Sequence, residues 1–428
     1  KLTSPLRNIP GPWHSAFSSL WYKSKLAQGS QLLAVTELHQ KLGPLVRVAP
    51  NMVSVGDVDA VRTIHSTHRF TKGPLYDCFR FANADNVFAT RHADFYKARK
   101  RLTAPAFTST AVSEMESIIL DAGINSLLRR LERHADGKQE INMFKLFSFM
   151  TFDAIGEIAF GKSFNLLEEE DHPLLGWMHS TLMLGIYVRI LYAYVFGQTA
   201  APIIFPKHVA AERSLVDFTV EAIRRRRNDR SRTDALQKLL DAEDEDTGAR
   251  LRENDLATET IVQLIAGTDT TSTALTWALY RLLDRPECMR LLQEELDGAF
   301  PDKNASITHA DVRDLPYLNA VINETLRVHP VAAGDAQRVV PAEGVQLCGQ
   351  FIPGGTIVIP QMYVLHHLEA HWSDPFAFKP ERWLVSPERM HEMKRAFIPF
   401  SMGVRACIGR NLAWLELRTG LAAIVRRF

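Results

Sequence analysis

The residues best placed to do chemistry stand near the end of the 428-residue sequence, where Phe400-Ser401-Met402-Gly403-Val404-Arg405-Ala406-Cys407-Ile408-Gly409 sets a cysteine between two glycines. The stretch fits F-x-x-G-x-R-x-C-x-G at every fixed position. With each residue type near one in twenty, a chance match in a chain this long has odds on the order of one in ten thousand. A thiolate at Cys407 could bind a metal, and turn amides directed at the sulfur would stabilise its charge and tune its donation. Gly403 and Gly409 would let backbone approach a flat, metal-bearing ring. Arg405 would offer a cation to an acidic group on that ring. Phe400 could pack on the ring and keep water from the sulfur. Cys78, Cys288 and Cys348 lack such surroundings and read as buried structural cysteines.

A second cluster, Ala266-Gly267-Thr268-Asp269-Thr270-Thr271, lies inside a long apolar run. Gly267 and the β-branched threonines weaken a helix locally, and threonine hydroxyls can take over backbone carbonyls, opening a groove. An acid beside a hydroxyl can pass protons. Taken alone, the cluster is equally well a polar patch in a buried helix. Glu324-x-x-Arg327 is an i,i+3 ion pair of a common kind. It gains meaning from Pro380-Glu381-Arg382-Trp383, which falls between it and the cysteine loop.

In this order the four blocks resemble the cytochrome P-450 family, and the resemblance runs from Ile9-Pro10-Gly11-Pro12 to the helix after Cys407. It implies that haem b is the cofactor and Cys407 its proximal thiolate ligand, pushing electron density onto iron to favour O–O cleavage. Phe400, Gly403, Arg405 and Gly409 would then surround the ring, with Ala266 also beside it. Asp269 and Thr270 would relay protons to dioxygen. Glu324, Arg327 and Arg382 would form a structural network that locks the loop, and Arg338 would meet a propionate. Where the family carries W-x-x-x-R this chain reads Tyr96 and Lys100, aligned on Pro105 and Phe107. Both can still hydrogen-bond a propionate, but lysine lacks the guanidinium fork.

The activity implied is insertion of one oxygen atom of dioxygen into a lipophilic small molecule, a secondary metabolite. Electrons would come from NADPH through NADPH-cytochrome P-450 reductase, with cytochrome b5 as an additional partner. Two other readings stand beside it: a haem-thiolate enzyme that rearranges peroxides, against which the intact Asp269-Thr270 pair speaks, and a non-catalytic haem-binding sensor. The Pro-Gly hinge, the strand from Val46 to Asn51 and the block from Pro380 to Trp383 are most similar to microsomal enzymes of filamentous fungi. That places the protein on the cytoplasmic face of the endoplasmic reticulum membrane, as a monomer. Only 21 residues follow Cys407 and the first residue is Lys1. The chain is therefore expected to lack the family's terminal strands and an N-terminal membrane anchor.

Composition sets the frame for these motifs. Lys and Arg number 50 against 49 acidic residues, a net charge of +1, so no polycationic surface is available for nucleic acid. The four cysteines form no C-x-x-C pair, which argues against a zinc site or a disulfide framework. A chain 46% hydrophobic and 23% charged can bury a large core. Length allows several domains, and the resemblance implies a single catalytic domain over residues 1–428. Alternation from Gly43 to Val55 predicts a β-hairpin, and Val345 to Val358 predicts strands and turns. A helix capped by Asn254 or Asp255 and stopped before Pro286 would be buried and about 45 Å long. A second helix spans Pro316 to Val328. The apolar stretch from Leu174 to Pro206 is interrupted by Gly176, Arg189, Gly197, Gln198 and Pro202, so it offers no clean membrane span and reads either as an apolar roof over a lipophilic pocket or as core helix. Lys97, Arg99, Lys100 and Arg101 form either a solvated helix face or a docking site for an acidic electron donor. Arg224 to Arg227, with the acidic run after them, read as a surface connection without chemistry. The fold class expected is mainly α with a small β region (α+β), its long central helix lying over haem.

Overall fold

The computed structural model describes residues 4–82, 84–137, 140–185, 201–229, 231–302 and 306–428. Contacts divide the chain into two units. The first comprises Lys1–Tyr76, Arg91–Ala93 and Asn323–Cys407. Its hairpin joins β1 (Leu45–Ala49) to β2 (Met52–Val55), antiparallel, with Leu45 opposite Val55. It includes also β3 (Thr71–Lys72), β4 (Arg338–Val339), β5 (Val345–Leu347), β6 (Gln350–Ile352) and β7 (Ile357–Pro360). Five strands form one sheet in the order β1-β2-β7-β4-β3, and β5 and β6 pair by themselves. The β-branched residues Val46, Val48 and Ile359 suit a pleated surface and pack with Tyr22 and Val35 in a core closed to water. Both strand regions expected from alternation are present.

The second unit, Asp77–Thr90, Asp94–Ile322 and Ile408–Phe428, is helical. Its axis is the helix Glu253–Asp284, which packs along Met143–Phe160. Gly267 serves this packing, because a Cβ there would stand 2.9 Å from Ile155 Cδ1. The helix is capped at Arg252, two or three residues earlier than expected, since Asp255 acts at the third position rather than as the cap. Its carboxylate accepts the Arg252 N–H at 3.2 Å, satisfying an orphan donor of the first turn. Pro286 ends the helix by opening the next, Pro286–Ala299. The helix Pro316–Val328 has the expected bounds.

Three readings are corrected. Arg99 is not a surface cation: it is buried, 2.7 Å from Asp255 and 3.6 Å from Glu259. Arg101 pairs with Asp244 and Lys97 with Asp94, so most of that basic run is paired within the chain. Arg226, in the supposed surface connection, is buried 2.9 Å from Asp234 at the end of the helix Pro206–Arg227. Cys348 is exposed, in a turn with φ of 47°, whereas Cys78 and Cys288 are buried. Of the apolar stretch from Leu174 to Pro206, the helices Pro173–Met183 and Ala201–Ile204 are seen, while 186–200, with Arg189, Gly197 and Gln198, lie outside the described residues. Among the described residues no helix is long and apolar enough to cross a membrane.

Candidate functional site

The loop that presents Cys407 is closed by its own backbone. Cys407 N–H donates to the Phe400 carbonyl at 2.9 Å, Ala406 N–H to Gly403 at 3.2 Å and Ser401 N–H to Ile398 at 2.9 Å. The amide of Cys407 is thus engaged by Phe400. Ser401 and Gly403 adopt left-handed backbone, at φ of 56° and 64°. Gly403 is required for a further reason: a Cβ would fall 2.1 Å from the His65 carbonyl oxygen. The loop rests on the end of the helix Val58–His65, so this glycine makes room for protein backbone. Nothing approaches the Cβ position of Gly409, which begins the terminal helix Arg410–Arg427. Cys407 is exposed and Phe400 half-buried.

Near the loop, one side of the sheet holds buried cations. Lys72 in β3 lies directly opposite Arg338 in β4, an unfavourable pairing of like charges. Lys72 is 5% exposed and Arg338 3%. The Lys72 ammonium sits 4.0 Å above the Tyr76 ring, and Arg338 donates to the Tyr76 hydroxyl at 3.2 Å. Burial, with repulsion from Arg338 and Arg405, holds Lys72 well below the usual lysine range. Burial and the same neighbours, Arg338 and Lys72, lower His65 to about 3, so it is neutral at pH 7. Like charges gathered away from water are relieved by an anion. The residues present fit haem: an exposed cysteine in a loop closed by its own backbone, beside cations suited to two propionates. Arg405, Arg338 and Lys72 would hold the carboxylates.

Behind the loop, Glu324 accepts from Arg327 Nε and Nη2, both at 2.8 Å, from Arg382 Nε at 2.9 Å, from Trp383 Nε1 at 2.9 Å and from the Lys379 amide at 2.9 Å. Arg327 Nη1 also donates to the carbonyls of His366 and Pro375, at 2.8 and 2.6 Å. His366 Nε2 accepts the Ile398 N–H at 2.9 Å, and burial keeps this imidazole neutral. The cluster is thereby tied by hydrogen bonds to the strand of chain that enters the cysteine loop.

In the second unit, Ala266 and Thr270 lie one turn apart on an exposed stripe of the long helix. The helix is unbroken through this tract. Its hydroxyls bond back to their own turns, Thr268 to the Leu264 carbonyl at 2.7 Å and Thr270 to Ala266 at 2.8 Å. Thr151 adds a bond to the Thr268 carbonyl at 2.9 Å. Burial raises the Asp269 carboxyl above its ordinary range, partly offset by His179. Tyr96 is buried, with the Lys100 ammonium 5.6 Å from its ring centroid.

Phe400, Gly403, Arg405, Cys407, Arg338 and the Glu324 cluster thus belong to the first unit, and Ala266, Asp269, Thr270, Tyr96, Lys100 and Gly409 to the second. Sequence reasoning passed over Lys72, His366 and Trp383. Trp383 stood in the quoted P-E-R-W block and could have been found there. Lys72 and His366 carried no local signal, because their partners are distant in the chain.

The family model described as cytochrome P450 matches residues 9–428. Cytochrome P450 monooxygenase atr2 of Stereocaulon alpinum is 32% identical, the match covering 99% of this chain and 85% of that protein. Trichothecene C-15 hydroxylase of Fusarium sporotrichioides is 31% identical over 99% of this chain and 87% of its own length. Tryprostatin B 6-hydroxylase of Aspergillus fumigatus is 31% identical, covering 100% and 75%. Among solved structures, the crystal structure of the cytochrome P450DA heme domain superposes with a TM-score of 0.83 at 23% identity, covering 97% of this chain and 90% of that one.

Proposed function

Because the chain belongs to the cytochrome P450 family and is a monooxygenase of it, we propose that it inserts one atom of dioxygen into a lipophilic secondary metabolite. The observation that carries the proposal is the Cys407 loop, set beside buried cations that suit a dianionic ring. Relatives named as hydroxylases of a trichothecene and of tryprostatin B support hydroxylation of such a compound. Haem, when bound, supplies the oxidising chemistry. The chain's part is to hold it and to move protons. Cys407 provides the thiolate, and Arg405, Arg338 and Lys72 neutralise the propionates, with Tyr96 and Lys100 as further donors. Phe400, Gly403 and Gly409 shape the backbone around the ring, and Ala266 gives it a small neighbour. Glu324, Arg327 and Arg382 fix the loop.

Asp269, whose carboxyl burial raises above its ordinary range, supplies a proton that the Thr270 hydroxyl passes on. Both units serve one catalytic domain, in keeping with a family match that runs through them. NADPH-cytochrome P-450 reductase delivers the electrons, with cytochrome b5 as a second donor. The protein works as a monomer on the cytoplasmic face of the endoplasmic reticulum membrane. Trp13, Phe17 and Leu20, exposed within one short stretch, support membrane contact. The test is the carbon-monoxide spectrum of the reduced protein. A thiolate-type Soret band should appear and be lost in Cys407→Ala; a band untouched by that change defeats the assignment. Product formation with NADPH and reductase, and not with peroxide alone, separates monooxygenation from peroxide rearrangement.

A further inference from the structure

Tyr22 and Gln31 stand in the first turns of two successive helices, Leu20–Ala27 and Gln31–Leu42, and both are buried. Their polar ends meet one carboxylate far along the chain. The Tyr22 hydroxyl donates to Asp335 Oδ1, and Gln31 Nε2 donates to the same oxygen at 3.1 Å and to the Tyr22 hydroxyl at 3.1 Å. The Gln337 side chain adds a further hydrogen bond to the carboxyl. Burial raises this carboxyl to about 6, against the pull of Tyr22 and Gln337, so at pH 7 it is ionised and accepts from all three side chains.

The chain after Asp335 bends at once. Gln337 N–H donates back to the Asp335 carbonyl at 2.8 Å, closing a tight turn. The turn delivers two carbonyls to the guanidinium of Arg338: Nη1 donates to Ala336 at 3.2 Å and to Gln337 at 2.9 Å, besides its bond to the Tyr76 hydroxyl at 3.2 Å. Gly73, just after β3, donates its N–H to the Gln337 carbonyl at 3.1 Å. A Cβ at Gly73 would stand 2.6 Å from the Gln337 Cβ, so β3 closes directly on the turn. The turn is clamped at one end through the Asp335 carboxylate and grips Arg338 at the other. Such outer partners matter to a long side chain that must meet a ligand in one plane, because without them it keeps its rotamer freedom.

We propose that Asp335, held by Tyr22 and Gln31, is a positioning residue: through the turn at Ala336 and Gln337 it sets the Arg338 guanidinium for a carboxylate of the cofactor. The inference rests on the haem reading of the site. Two helices near the start of the chain thereby take part in retaining the ring.

The test follows haem transfer from the loaded protein to an acceptor protein at pH 7. Transfer should quicken severalfold in Tyr22→Phe and in Asp335→Leu. It should stay near the parent rate in Asp335→Asn, whose side-chain oxygen still accepts from Tyr22 and Gln31. In an Arg338→Met background, Tyr22→Phe should quicken transfer no further, because the group it helps to position is gone. A tyrosine that only stabilised the fold would speed loss equally in both backgrounds, and that result overturns the proposal. So does an unchanged rate in Tyr22→Phe, or a rate in Asp335→Asn as fast as in Asp335→Leu. Should Asp335→Leu fail to fold, Tyr22→Phe in its two backgrounds decides. A second readout needs no haem. In the haem-free protein the Arg338 guanidinium N–H resonances, identified by their loss in Arg338→Met, should exchange slowly with water, and severalfold faster in Tyr22→Phe; equal exchange defeats the positioning role. A parent that takes up no haem fails the cofactor reading instead, and these resonances still judge Asp335 and Tyr22.

Discussion

Glu324 and Lys72 are both buried charges of the first unit, and their surroundings are opposite. Glu324 is met by two guanidinium groups, an indole N–H and a backbone amide. Lys72 faces Arg338 across the sheet and feels Arg405 as well. Glu324 is satisfied by donors of its own chain, whereas the charges that bear on Lys72 from Arg338 and Arg405 are of its own sign, a setting that would favour a bound anion. A buried charge can therefore be scaffold or receptor, and the sign of its neighbours tells which.

Substitutions should separate the two behaviours. The largest effect is expected from Glu324→Ala, which strands Arg327 and Arg382 and should cost about 3–5 kcal/mol in denaturant unfolding. A loss under about 1 kcal/mol would show that this cluster does not balance itself. Trp383→Phe keeps the ring packing and removes one hydrogen bond to the carboxylate. It should cost about 1.5–3 kcal/mol by the same measurement, and a neutral result would remove the indole from the network.

Lys72→Met should differ in sign. Haem-free protein should gain about 1 kcal/mol from relief of like charges, while haem transfer to an acceptor protein should quicken roughly tenfold. Destabilisation of both forms would show that Lys72 is scaffold like Glu324. The smallest effect is in pH dependence. A lysine titrating below its ordinary 10.5 leaves the unfolded chain binding more protons, so haem-free stability should rise with pH toward that value. Lys72→Met should flatten the rise, seen as a parent-minus-variant difference in thermal midpoint, and an unchanged slope would clear Lys72 of the effect.

Local chemistry was readable in the sequence. The long helix announced itself by apolar residues on nearly every face and by Pro286, and its cap shifted by two or three residues because Asp255 works as well at the third position as at the cap. The cysteine loop was readable because its glycines, arginine and cysteine keep fixed spacing. Pairing between distant segments was not readable. Arg99 and Arg226 sit in basic runs that look alike whether solvated or matched to carboxylates elsewhere. Lys72 acquires its character only from the register of β3 on β4, which no local pattern specifies. Gly403 was singled out correctly as a close-approach position, yet the neighbour in the structure is the backbone at His65, a contact set by tertiary folding.

That contact bears on how the protein can vary. The cysteine loop leans on the main chain of His65 and Ser66, and a carbonyl is present whatever side chain it carries. Residues at the end of that helix can drift while Cys407 keeps its place. Position 403 has no such freedom, because even one methyl group there would lift the loop from its support.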